Sequence, residues 1–508
     1  MAGHDYRFAR QGDAFAVEID GARREVALVT GSHHQQRYWL RSEAGRSLDL
    51  LPLDFLLTDG RWVPGPSVFV LPPGVDETGT GGLWNRNCIT CHNVAGQPGL
   101  DEAKVFSATR VAELGIACEA CHGPAAAHVA RYQDPVYRYA AHVAARDDAA
   151  QIVNPEHLSR RAASAVCGQC HAVFVFKQHE RREGSSYRAG GVLDDDRYLV
   201  HGGSAALDGA GENPPLPPGF LAQRFWSDGE VRVSGREYSG LVASECYRRG
   251  DLSCLDCHSM HASAPDDQLR PDRVGDAACV PCHAAERYGS GHTHHASASE
   301  GSRCANCHMP YTTFGLLKSI RTHRISSPSV AVNMTTGRPN ACNLCHLDRT
   351  LAWTAEHLSS WYGAEPVNLS PEERRVAAAL LWLLRGDAGQ RALAAASMGW
   401  APAQSAAGTA WMPPYLAGLL DDPYSAVRYN AARALHGLAG YSDLAYDWVG
   451  SPAEWQQAQR EAIGRWRRSA GAAVSRAELL LPAPGRIDVD AVVALQRERD
   501  DRPVMLSE

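Results

Sequence analysis

Fourteen of the fifteen cysteines fall in seven copies of one pentapeptide, Cys-x-x-Cys-His. The first four copies are Cys88/Cys91/His92, Cys118/Cys121/His122, Cys167/Cys170/His171 and Cys254/Cys257/His258. The last three are Cys279/Cys282/His283, Cys304/Cys307/His308 and Cys342/Cys345/His346. Chance would place roughly 0.02 such pentapeptides in a chain of this composition, so the repetition is chemical. Two thiols separated by two residues lie on one side of a helical turn, within reach of the two vinyl groups of one porphyrin. The adjacent imidazole turns onto the iron from the same turn. The spacing therefore predicts seven covalent haems c, each with its motif histidine as proximal ligand. The intervening pairs vary freely (Ile-Thr, Glu-Ala, Gly-Gln, Leu-Asp, Val-Pro, Ala-Asn, Asn-Leu), as befits a motif worked by three fixed positions. Zinc knuckles commonly need a second cysteine pair per metal. A redox dithiol is expected once, beside a βαβ pattern that this sequence lacks.

Each iron keeps a second axial face. Seven of the 22 histidines are used proximally and fifteen remain, whereas the haem zone offers only Met260, Met309 and Met334. Mostly bis-His ligation, at lower potential than His-Met, is the expectation. His261, three residues after His258, is placed to reach a neighbouring haem and tie two haems into a pair; His128, six residues beyond His122, reads the same way. His294 and His295 precede the sixth motif, His323 lies between the sixth and seventh, and His33 or His34 would reach over from the N-terminal module. His142, His157, His179 and His201 are secondary candidates, and His4, His357 and His436 are not expected to ligate. Cys246, outside the motifs, reads as a small buried residue beside a haem.

The elements that must position these groups fall in three stretches. Residues 1–80 hold no cysteine and alternate as strands: Ala14–Ile19, Glu25–Val29, Arg37–Leu40 and Ser67–Leu71. They predict a small β-rich module. Residues 81–350 form the haem zone. Cys88 to His346 is 259 residues for seven motifs, 37 per haem, too little for an apolar core around each porphyrin. The haems themselves must be much of the core, within a mainly α fold of little regular structure. Motif starts are 30, 49, 87, 25, 25 and 38 residues apart. The longest interval carries the Pro-rich turn Asn213–Gly219 and an expected hairpin at Glu230–Tyr238. Residues 351–508 turn to Ala, Leu and Arg at helical spacing. Arg375–Leu384 and Arg391–Ala396 read as buried helices, and Leu419–Leu435 as a HEAT-like unit with Val427, Ala431, Ala432 and Leu435 inward. An all-α, HEAT-like C-terminal domain is the expectation.

The charge balance, 50 Lys+Arg against 57 Asp+Glu, argues against nucleic-acid binding, and haem propionates would add about 14 further negative groups. No apolar run is long enough to span a bilayer. The first twenty residues lack a basic region followed by an apolar one. Haem attachment belongs to the oxidising side of a bacterial inner membrane, so a periplasmic or extracellular location is expected, with the signal segment absent from this sequence.

Glu119-Ala-Cys-His-Gly-Pro-Ala with His128 after it, Cys254-Leu-Asp-Cys-His-Ser-Met-His261 and Cys304-Ala-Asn-Cys-His-Met-Pro310 resemble multihaem cytochromes c of the doubled Cys-x-x-Cys-His type. These are relatives of the hydroxylamine oxidoreductase and octahaem tetrathionate reductase group. Gly31–Tyr38 and Thr293–Ala296 are similar to segments flanking the haems there, and the likeness runs over roughly residues 30 to 350. The resemblance implies a periplasmic electron carrier or redox enzyme with closely packed haems. The sequence departs from it in having no Cys-x-x-Cys-Lys motif and no assignable cross-linking tyrosine. Low-potential electron transfer with redox partner proteins, other cytochromes or a membrane quinol oxidase, is the leading expectation. The alternative is an oxidoreductase acting on a small nitrogen or sulfur oxyanion at one open haem, near His179, Arg181, Arg182 and His201.

Overall fold

The computed structural model describes residues 4–43, 45–75, 82–101, 105–144, 152–177, 180–202, 216–261, 263–469 and 473–507. The chain divides into two compact units, each discontinuous in sequence. The first holds residues 1–65, 76–215 and 236–274; the second holds 66–75, 216–235 and 275–508. Motifs one to four fall in the first unit and motifs five to seven in the second.

The first unit opens with a six-stranded antiparallel meander in sequence order: β1 (Tyr6–Gln11), β2 (Ala14–Ile19), β3 (Ala22–Thr30), β4 (Gln35–Arg41), β5 (Leu48–Leu56) and β6 (Arg61–Pro64). Alternation buries Val17, Leu40, Leu51 and Leu53 in one cluster. Trp39, Leu50, Trp84 and Ile89 form a second, so the isoleucine inside the first motif is itself a core residue of the sheet module. Ser67–Leu71 is not a strand. Gly65–Val68 is a 3₁₀ turn, and only Val70 bridges, to Leu506. Pro64 and Pro66 remove the donors that a ladder would need there. Four helices follow: α1 (Cys118–His122), α2 (Ala126–Gln133), α3 (Pro135–Ala144) and α4 (Arg160–His171).

The expected hairpin at Glu230–Tyr238 is also corrected. The chain turns earlier, Gly229 N donating to Trp226 O (2.9 Å), and Phe225 bridges Val231. Val233 pairs in parallel with Phe314, and a helix begins at Glu237. The alternation of Val231 and Val233 is that of an extended strand, but Gly235 (φ +76°) leads the chain onward into the helix.

In the second unit residues 351–507 are largely helical. The predicted helix Arg375–Leu384 is broken: Pro371–Arg375 and Ala378–Arg385 flank an extended Val376–Ala377, where Ala377 N donates to Glu478 O. Val427, Ala431, Ala432 and Leu435 face inward on the helix Ser425–His436, as their spacing requires. A one-dimensional stack of repeats contacts only its neighbours. Here Val489–Arg497 packs back on Ala378–Arg385, which closes the helices into a globule. Arg391 and Asp422, both 1 % exposed, form a two-pronged ion pair inside it (2.7 and 3.2 Å).

Candidate haem-binding site

Each motif is one helical turn whatever surrounds it. In the first, fourth, fifth and seventh motifs the histidine N–H donates to the carbonyl of the first cysteine, four residues back, at 2.8, 2.9, 3.0 and 2.7 Å. The second and sixth motifs are themselves short helices, and the third ends α4. Local capping starts these turns. Asp276 accepts from Cys304 N (2.9 Å), Asn340 from Cys342 N (2.9 Å) and Ser159 from Ala162 N (3.3 Å). The geometry sets both thiols and the imidazole of each motif on one side.

Three motif histidines meet a second imidazole. His122 faces His261 with ring centroids 6.0 Å apart and planes within 7°. His308 faces His292 at 6.2 Å and 5°, and His346 faces His295 at 5.9 Å and 29°. Two imidazoles bound to one metal from opposite sides, each at about 2 Å, have ring centres about 6 Å apart. His122 Nδ1 is tied to Val153 O (2.7 Å), His308 Nδ1 to Ser326 O (3.1 Å) and His295 Nδ1 to Thr293 O (2.6 Å). That arrangement leaves Nε2 as the ligating nitrogen. Burial, above all, holds His308 and His346 below the usual imidazole pKa, and so in the neutral form that ligates.

The other motif residues are not placed alike. His92 and His283 differ from those three motif histidines in their surroundings. Both are exposed. His92 meets no second imidazole among the described residues, and His283 takes the edge of the Tyr288 ring (5.4 Å, 83°). The reason is local in each case. After His92 the chain turns inward, with Asn93 and Val94 buried and paired to Glu113–Leu114, which leaves the histidine on the outer edge. Around His283 every residue from 280 to 291 is exposed, and Tyr288, which meets its ring, belongs to that same exposed run. Cys282, in the same run, is exposed as well and stands outside the sulfur contacts that join other motifs. Cys257 is half-buried, and its carbonyl accepts from Arg270 N (2.9 Å), while His258 bridges Leu269. The fourth motif is thus seated on one side by backbone bonds to the loop that follows it and on the other by α4, where Cys254 N donates to Ser164 Oγ (3.3 Å) and Arg160 to Asp256 (2.6 Å).

The remaining distal candidates sort by ring occupancy. His33 Nε2 is taken by Asp266 (3.0 Å), which favours its neighbour His34, half-buried just before β4. His294 stacks flat on Trp361 (4.2 Å, 9°), while the adjacent His295 meets His346. His128 stacks on Tyr132 (4.5 Å), and His323 Nδ1 lies on Arg321 O (3.2 Å). His142, His157 and His201 are exposed, and His436 Nε2 is tied to Leu444 O. His179 lies outside the described residues, and the Arg182 guanidinium lies on Leu100 O (3.4 Å). The sequence reading missed His292. Its signal was the spacing Gly-His-Thr-His-His, in which 292 and 295, three apart on a turn, each meet a different motif.

The sulfurs of different motifs lie together. Cys91 and Cys170 share a hydrogen bond, as do Cys167 and Cys254, so the third motif adjoins both the first and the fourth. In the second unit Cys279 bonds Cys304. Burial pushes Cys88 and Cys342 up to about 12 and Cys345 up to about 11, and raises Cys121 and Cys307 too. Those five are held as protonated thiols, whereas Cys91 and Cys254 go down, each taking a hydrogen bond from a third-motif cysteine.

From residue 254 to 309 no described side chain is buried, although the backbone turns are regular. A polypeptide stretch of this length does not order itself without a core. The donor set, the imidazole spacing and this want of protein core all fit covalent haem. Among the described residues no three His, Cys, Asp or Glu side chains converge as a metal cage, the arrangement a structural zinc site requires.

Comparison with known proteins agrees with the class of motif. Residues 247–288, which span the fourth and fifth motifs, match the family model "Doubled CXXCH motif (Paired_CXXCH_1)". The chain thus carries a doubled haem c attachment motif of the cytochrome c type. Among solved structures it is similar to one titled "Crystal Structure of Outer Cell Wall Cytochrome OcwA", at 16% identity over 86% of each chain, with a TM-score of 0.43. No curated protein matches. No described helix is long and apolar enough to cross a membrane.

Proposed function

We propose that this chain is a heptahaem c-type cytochrome that carries electrons at low potential on the outer side of a bacterial inner membrane. Its partners would be other cytochromes or a membrane quinol oxidase. The observation that carries the reading is the facing of His122 with His261, His308 with His292 and His346 with His295 at 5.9–6.2 Å. When bound, haem c supplies reversible one-electron chemistry at its iron. The protein's residues do the rest. Fourteen cysteines anchor, the exposed Cys282 and half-buried Cys257 among them. The seven motif histidines would each hold one iron, and His261, His292 and His295 would supply a second imidazole at three of the sites. His34 and His323 are the next candidates for the distal faces, with His128 and His294 after them. The nearness of Cys91 to Cys170 and of Cys167 to Cys254 puts neighbouring attachment sites close together, as a conductor needs. The HEAT-like unit at 419–435 would serve as a lid or partner surface.

The test is expression with a cytochrome-maturation system, followed by protein mass and electron paramagnetic resonance. Seven added haem masses and wholly low-spin spectra are expected. A haem-free product overturns the reading. A high-spin fraction that responds to nitrite, hydroxylamine or sulfite replaces it with oxyanion chemistry at one open haem, for which the exposed His92 and His283 mark the first sites to examine.

A further inference from the structure

The third motif differs from its neighbours in what holds its histidine. His171 Nδ1 lies 2.7 Å from Glu237 Oε2, whereas the equivalent nitrogens of His122 and His308 lie on the backbone carbonyls of Val153 and Ser326. A carbonyl orients an imidazole. A carboxylate also withdraws its proton and makes the other nitrogen a stronger donor to a metal.

The contact is built into the packing. Glu237 stands at the start of the helix Glu237–Val242, and three further contacts fix that helix against motif three. Arg236 donates to Cys170 O (3.3 Å), and Val173 N donates to Ser239 Oγ (2.8 Å). At Gly168, between the two cysteines, a Cβ would stand 2.9 Å from the Tyr238 ring. The glycine of Cys-Gly-Gln-Cys-His is thus where the two helices meet, and it lets the residue before Tyr238 come onto His171.

We propose that Glu237 is a tuning residue: its carboxylate, hydrogen-bonded to His171 Nδ1, gives the third motif's histidine imidazolate character and sets that site at a lower reduction potential than the sites of His122 and His308. The inference rests on the cytochrome reading. The third motif is also the one whose sulfurs meet those of both the first and the fourth. Lowering its potential therefore places a more reducing site than that of His122 at a junction of the first unit.

The test uses the full holoprotein with Glu237→Gln, which keeps an acceptor and removes the charge. Seven haem masses should remain, and in a spectroelectrochemical titration one wave should move upward by about 59 mV or more, tenfold in the oxidised-to-reduced ratio for one electron. Glu237→Asp should shift it less. Ser239→Ala, which loosens the same helix without touching the charge, should shift that wave less than Glu237→Gln does. Unchanged waves in Glu237→Gln with all haems present, or an equal shift in Ser239→Ala, overturn the inference and leave the cytochrome reading standing. Absence of haem from the wild type overturns that reading instead.

Discussion

His292 and His308 face each other with parallel rings, 6.2 Å between centroids, although fifteen residues and a separate turn lie between them. His308 ends its helix with Nδ1 on Ser326 O, and His292 lies in the helix Ser290–Thr293. Replacing His292 by Ala should convert one haem of seven from low-spin to high-spin, while haem mass stays complete because the thioethers are untouched. His261→Ala and His295→Ala should each do the same for a different haem. His33→Ala and His436→Ala should not, since in both the ring Nε2 is already engaged, by Asp266 and Leu444 O. Electron paramagnetic resonance counts the change. A high-spin signal in His33→Ala would contradict the assignment by nitrogen occupancy.

Gly168 should tolerate no side chain. Valine there would push into the Tyr238 ring, and overpacking of this kind costs about 1–3 kcal/mol. The expected result is a lower melting temperature together with an upward shift of the third site's potential, because Glu237 moves with Tyr238. A full-strength variant with an unshifted potential would show that the helix contact is not what seats the carboxylate.

The motif cysteines and histidines were legible because their chemistry is local. Five residues that form one turn carry their own spacing wherever the chain takes them, and the structure draws that turn in 3₁₀ and helical settings alike. Distal pairing is not local. His261 follows the fourth motif yet meets the second motif's His122, and of the adjacent His294 and His295 only the latter finds a motif histidine. His283 carries the same pentapeptide as His308 and yet lies against Tyr288, because nothing within five residues decides what comes to a ring from outside. No periodicity encodes such meetings. Ser67–Leu71 misled for a related reason: its apolar alternation is real, and Val68, Phe69, Val70 and Leu71 are all buried, but Pro64 and Pro66 deny it a ladder. Glu237 was invisible in the sequence because its importance lies in a contact made 66 residues from His171.

Glu230 makes the second unit sensitive to pH. It has no exposed surface, and neither carboxylate oxygen has a hydrogen-bond partner. Burial raises its pKa to about 8, against the opposing pull of Arg338 and Arg324, with Asp228 adding to the rise. A raised folded pKa contributes stability that is complete below the unfolded value of 4.5 and is lost as pH climbs through about 8. At about 1.4 kcal/mol per pKa unit, a few kcal/mol should disappear between pH 5 and pH 8. Glu230→Gln should flatten that slope and raise the melting temperature at pH 8. An unchanged slope would mean that another group carries it.

Arg391 and Asp422 should be inseparable. Asp422 binds two nitrogens of Arg391 and also accepts from Tyr424 N (2.9 Å), while Arg391 reaches Gly386 O (2.8 Å). Asp422→Ala leaves a buried guanidinium uncompensated, a loss of about 3–5 kcal/mol. Chemical denaturation of the second unit should show it, with the spectrum of surviving holoprotein unaltered. A loss below about 1 kcal/mol would mean that water enters and satisfies the arginine.

Removing haem should unfold the protein unevenly. The β1–β6 module has its own apolar core in Val17, Leu40, Leu51 and Leu53, and the helices from Ala378 to His436 bury a dense set of Ala and Leu side chains. No described residue of 254–309 is fully buried, so their order must come from what their cysteines and histidines bind. In chain made without a maturation system, limited proteolysis should cut within 254–309 first, at Arg273, Arg287 or Arg303 for trypsin, and leave the sheet module and the C-terminal helices as resistant fragments. In the matured protein the same arginines should be protected. Mass mapping of the first cuts decides between the two, and early cleavage inside Ala378–His436 in place of 254–309 would show that the helices, too, depend on haem.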